Sequence, residues 1–154
     1  MAIDYALGVA TDLTPSQILK IMCGTGEATP DIKTLPERPR VFHLITTELD
    51  ILAFQVDNTA PPAHRLWVEG LGVSRSVQVV FPNAEDSHAS SVAMLRAIMN
   101  LMEQTQDDLA LLYHSVVLVR NSGKLALNQS HELWRPEYLK LITVRYEMKN
   151  IPTP

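Results

Sequence analysis

Residues 107–128 read DDLALLYHSVVLVRNSGKLALN, and this stretch limits the fold more tightly than any other. It holds three β-rich runs, 109–113, 116–120 and 124–127, interrupted by His114-Ser115 and by Asn121-Ser122-Gly123. Apolar runs this short, rich in Val and Leu and bounded by turn residues, suit strands buried on both faces. Gly123 takes a positive φ without steric cost, so a three-residue hairpin loop is expected at 121–123. The segment therefore predicts an antiparallel meander at the centre of the fold, with the rest of the chain packed on it.

Upstream, Ile3, Tyr5, Leu7 and Val9 alternate with Asp4, Ala6, Gly8 and Ala10, which is strand periodicity with one apolar face. Thr14-Pro15-Ser16-Gln17 reads as a helix start: Thr14 caps, Pro15 supplies the φ of the first helical position, and Gln17 reaches back. Ile18, Leu19, Ile21 and Met22 give that helix its buried stripe, Cys23 reads as a small buried residue in its last turn, and Gly24 or Gly26 ends it. A short edge strand at 31–35 follows among Pro30, Pro36 and Pro39. Strands at 41–47 and 49–56, a loop at 58–64, and strands at 66–68 and 73–81 complete the middle of the chain. A second helix over 89–104, capped by Asp86 or Ser87, carries Val92, Leu95, Ile98, Met99 and Met102 on one stripe. After the meander come a helical turn at 137–141 and a last strand at 142–148 with Val144, Tyr146 and Met148 facing in.

Runs of strands with two isolated helices predict an α+β fold, a mostly antiparallel sheet with both main helices packed on one face. Element order alone also suggests two pseudo-repeated halves, each a strand, a helix and several strands. A chain of 154 residues, 46% hydrophobic and 19% charged, is read as one domain over 1–154 with its own core. No apolar run approaches the roughly 20 residues of a membrane span. One cysteine excludes an intrachain disulfide and fits a reducing compartment, and Asp4 stands where a signal peptide carries a base, so a cytoplasmic location is expected.

A search for chemistry returns little. No two of the five histidines lie at i, i+3 or i+4, and His131-Glu132-Leu133-Trp134-Arg135 has Arg where HExxH needs its second ligand. One cysteine cannot build a paired-thiolate zinc site, so no metal is expected. Only the convergence of histidines distant in sequence is left open. Gly24-Thr25-Gly26 and Gly70-Leu71-Gly72 lack the fingerprint of a nucleotide cradle, and neither opens a helix, so no cofactor is expected. There is no Gly-x-Ser-x-Gly elbow, and no catalytic residue is named. A net charge of −4 argues against nucleic acid. The charge is uneven, with Glu85, Asp86, Asp107 and Asp108 as acidic pairs at element edges, where cap and turn roles compete with steering of a charged partner.

Met94-Leu95-Arg96-Ala97, Leu101-Met102 and Asp108-Leu109-Ala110-Leu111-Leu112-Tyr113 resemble the Sit-type immunity proteins, which protect bacteria against polymorphic lipoprotein toxins passed between siblings. The likeness continues through Val119-Arg120, Gly123-Lys124-Leu125, Leu127-Asn128, Trp134, Tyr138-Leu139, Tyr146-Glu147 and Ile151-Pro152. Asp4-Tyr5, Ala10-Thr11 and Thr14-Pro15 resemble the family's opening, whereas residues 27–70 contribute almost nothing. His114-Ser115 departs from the pattern, standing where an Asn-Gly type turn is expected. The resemblance implies a non-enzymatic protein whose partner is a cognate toxin. It supplies no catalytic residues and does not place the contacts; the charge pattern alone nominates Glu85, Asp86, Asp107 and Asp108. Two other readings stay open: an α+β domain that binds a small molecule or another partner, homo-oligomeric or not, and a small enzyme whose site is assembled from distant residues.

Overall fold

The computed structural model describes residues 4–24, 31–56 and 71–152. The expectations for Ile3, Gly26, the loop at 58–64 and the strand at 66–68 fall outside them. Among the described residues, nine strands form one sheet in the order β2-β3-β4-β5-β1-β6-β7-β8-β9. They are β1 (Tyr5–Ala10), β2 (Ile32–Leu35), β3 (Arg38–Ile45), β4 (Asp50–Gln55), β5 (Val77–Phe81), β6 (Asp108–Tyr113), β7 (Ser115–Asn121), β8 (Lys124–Asn128) and β9 (Tyr146–Lys149). Every pairing is antiparallel except β8 with β9. With helices α1 (Pro15–Met22), α2 (His88–Gln104) and α3 (Pro136–Leu139), this is the expected α+β architecture.

Leu7 and Val9 of β1, Leu109 and Leu111 of β6, and Leu125 and Leu127 of β8 point to the helix side and join one core with Ile18, Leu19, Leu95 and Ile98. Each fully buried Leu, Ile or Val side chain contributes about 1.5–3 kcal/mol relative to an exposed one. α2 buries more than the expected stripe: Met94, Ala97 and Leu101 are also inside. The cause is that α1 packs beside it as well as the sheet beneath it. The capping box at Thr14 and Gln17 is present, and Ser87 rather than Asp86 caps α2. Gly24, at φ 79°, ends α1, and the side chain of Asn100 on α2 donates to the Met22 carbonyl there at 3.0 Å.

The meander is buried on both faces, as its composition requires. Its far face holds Val73, Ala110, Leu112, Val116 and Val119, with Leu71 and Ile151 packed over them. Asn128, buried, holds the chain end there by accepting from the Ile151 amide at 3.2 Å. The β6–β7 register slips between Leu111 and Leu112, which sets Val117 as an extra residue in β7. The Trp134 indole donates to the Val117 carbonyl at 2.9 Å.

Several expectations are corrected. The loop after β7 has two residues, because Asn121 pairs with Lys124, and both Ser122 (φ 52°) and Gly123 (φ 79°) are left-handed, as a type I′ turn requires. Cys23 is exposed rather than buried. β3 begins at Arg38, because Pro39 falls in the register shift between β2 and β3 and has no ladder partner there, and β5 begins only at Val77. β9 is shorter than expected, and Tyr146 and Met148 are 38% and 39% exposed instead of facing in. β9 runs parallel to β8 at the sheet's edge, past the area that α1 and α2 cover.

The pseudo-repeat holds only at the centre. β1 and β5 are antiparallel neighbours, and each leads into one of the two long helices, as two related halves would. The three-stranded runs break the relation: β2 to β4 progresses from the edge inward, β6 to β8 from the centre outward.

Candidate functional site

Among the described residues, a cleft of about 580 Å³ lies at the end of the central strands. Tyr5 opens β1 and Tyr113 closes β6; since these strands are antiparallel neighbours, both phenols emerge at the same end of the sheet. Their rings stack with centroids 4.1 Å apart and planes within 6°. The start of α2 brings Ser87, His88 and Ser91 to one wall, α3 brings Glu137 and Tyr138 to another, and Glu85 and Glu132 come from the flanking connections.

Hydrogen bonds fix most of this frame. His131, buried, accepts from the Leu133 amide at its Nδ1 (3.1 Å), so its proton sits on Nε2 and is donated to the Tyr113 carbonyl at 2.9 Å. That bond ties the Glu132 connection to the end of β6. His114, at φ 62°, adopts the left-handed turn conformation that an Asn or Gly would take there, and its ring meets Tyr113 edge-on. His88 Nδ1 lies 3.0 Å from the Tyr138 hydroxyl.

Burial raises the Tyr5 phenol above its ordinary pKa, with the neighbouring Tyr113, Glu85 and Glu132 adding to the shift. Tyr113 moves the same way, through desolvation first and then through the nearby Glu85 carboxylate. Both phenols therefore stay neutral at physiological pH and serve as hydrogen-bonding groups. The two serine hydroxyls are already committed: Ser87 Oγ accepts from the Ser90 amide at 3.0 Å, and Ser91 Oγ donates to the Ala84 carbonyl at 2.8 Å. The cleft is equipped for recognition and holds no serine activated by a base. Among the described residues, no group of three or more His, Cys, Asp or Glu side chains is placed to hold a metal.

The four nominated acids fall into two places. Glu85 lines the cleft, and Asp86 follows it in an exposed turn. Asp107 and Asp108 sit at the opposite end of β6, roughly 17 Å away at about 3.3 Å per strand residue. The Asp107 carbonyl accepts from Arg120 Nε at 2.9 Å, and the Asp108 carboxylate accepts from the Ser122 amide at 2.9 Å. Reasoning from sequence missed Tyr5, Tyr113, Tyr138, His88 and Glu132 as a group. A tyrosine at each of two strand ends is the one signal for it, because that residue carries a polar tip on an apolar body.

A family model described as SitI3-like matches residues 3–138, from β1 through the cleft to α3. The chain belongs to the SitI3-like family. This agrees with the likeness to Sit-type immunity proteins carried by α2 and the meander. The match takes in every residue named above as lining the cleft. No curated protein and no solved structure matches the chain. Among the described residues, no helix is long and apolar enough to cross a membrane.

Proposed function

We propose that this SitI3-like protein is an immunity protein that binds a cognate toxin domain and neutralises it without catalysis of its own, in the cytoplasm. The supporting observation is the family match over residues 3–138, which spans the core and the cleft together. The cleft agrees with it: its phenols are held neutral and its serines are already hydrogen-bonded to the backbone, so its chemistry is that of docking. The test is co-expression with the product of the adjacent open reading frame, first shown to arrest growth when expressed alone. Growth restored by this chain, and not by an unrelated immunity protein, is the expected result; continued killing refutes the reading.

The acidic pairs remain the proposed contacts for a basic toxin surface, and their separation lets each be tested alone. Glu85→Gln with Asp86→Asn, and Asp107→Asn with Asp108→Asn, are expected to slow association and flatten its salt dependence. Unchanged association kinetics in either double variant removes that pair.

A further inference from the structure

From the cleft we infer the partner's chemistry: a basic side chain of the toxin, an arginine by preference, enters between Tyr5, Tyr113, Glu85 and Glu132. The inference rests on the toxin-binding reading for the source of the cation, and on the cleft alone for its charge. Glu85, Glu132 and Glu137 are its carboxylates, against Arg135, which lies 3.9 Å from Glu137 and offsets it. Glu85 and Glu132 are left, and both act on the two stacked phenols. The start of α2 opposes them with the equivalent of about half a positive charge, less than two full carboxylates.

The second observation is Tyr5 itself. Its side chain is 95% buried (5% exposed) and lines the cleft, yet its hydroxyl makes no hydrogen bond with any described residue. Tyr113 stacks on the Tyr5 ring, with Glu85 near the second phenol. The Tyr5 ring is buried but its hydroxyl opens on the cleft, where it is free to accept a hydrogen bond from a guest. A guanidinium brings five N–H donors in a planar fork, enough for two carboxylates and a phenol oxygen at once. A volume of about 580 Å³ admits such a group with room for its stem.

The probe is L-arginine methyl ester, titrated into the full chain at low salt and followed by amide NMR, with sodium sulfate as the anion control. Saturable shifts around Glu85, Tyr113 and Glu132 are expected, weakened roughly ten-fold or more in E85Q/E132Q and less in Y5F. Both glutamates are exposed, and Y5F removes one oxygen, so the fold is kept. No response in the wild type, equal response in E85Q/E132Q, or a response to sulfate alone overturns the proposal. The co-expression assay then assigns the source. Loss of protection in E85Q/E132Q supports a toxin side chain. Full protection by that variant, with ester binding lost, makes the guest a free cation, so the docking role falls while the toxin-binding reading stands. If the wild-type chain fails to protect, that reading and the source fall together, whatever the ester does.

Discussion

Arg120 on β7 donates from Nη1 to the carbonyl oxygen of Met102 at 2.9 Å, so a strand residue closes the last turn of α2. The same guanidinium donates from Nε to the Asp107 carbonyl and from Nη2 to the Thr105 hydroxyl at 3.2 Å. Only 4% of the residue is exposed; desolvation lowers its pKa, and the charges of Asp107 and Asp108 oppose that shift. The last carbonyls of a helix have no partner within it, and here one buried fork supplies what solvent cannot reach. Arg120→Met is expected to cost about 3 kcal/mol in urea unfolding, and Arg120→Lys to recover little of it, since an ammonium cannot reproduce the fork. A loss below about 1 kcal/mol for the Met variant would show that the cap is dispensable.

Tyr5 sets an alkaline limit on stability. Its folded pKa lies above the ordinary value of 10, because burial disfavours the phenolate. The contribution is complete below about pH 10 and is lost as pH rises through the folded pKa, since the native state then holds a proton that the unfolded chain has released. Tyr5→Phe should flatten the decline of the denaturation midpoint above about pH 10. Parallel curves for the variant and the wild type would contradict this account.

Gly123 isolates the cost of a left-handed residue. A Cβ there meets nothing nearer than the Gln106 side chain at 3.9 Å, so backbone strain alone opposes Gly123→Ala. About 1–2 kcal/mol of destabilisation is expected. Ser122→Asn, which restores the preferred first residue of a type I′ turn, should shift the midpoint the other way. The same sign for both substitutions would mean that the turn does not limit stability.

His131 is expected to show the Nε2–H tautomer in long-range nitrogen NMR, because its Nδ1 accepts from the Leu133 amide. His131→Ala leaves the Tyr113 carbonyl and the Leu133 amide without these partners. A loss of about 2 kcal/mol and displaced Tyr113 signals should follow. An Nδ1–H tautomer in the wild type would rule out the bond to Leu133.

Much of the scaffold is legible in the residues. Thr14-Pro15-Ser16-Gln17 announces a helix start through local hydrogen bonding, and Gly123 announces a turn through φ, because neighbours in sequence decide both. Tyr146 and Met148 mislead for the opposite reason: their period-two spacing is that of a strand, but whether a strand face is covered depends on where the helices end. Cys23 misleads in the same way, at a helix terminus left outside the packing. The cleft is the least legible part. Tyr5, the Glu85–His88 junction, Tyr113 and Glu132 are four separate segments, and the sheet order brings them to one end. No spacing rule links them. The acidic pairs looked alike in sequence, yet Asp108 answers an amide in a turn while Glu85 faces a phenol.

β1 is the first of the described strands and sits in the middle of the sheet, hydrogen-bonded to β5 on one side and β6 on the other. During synthesis it leaves the ribosome long before either flank exists, carrying Leu7 and Val9 bare. The protein must therefore wait for most of its length before its middle can close, and refolding is expected to be slow and sensitive to concentration. For the immunity role proposed above, a standing stock of finished copies is of more use than rapid production on demand.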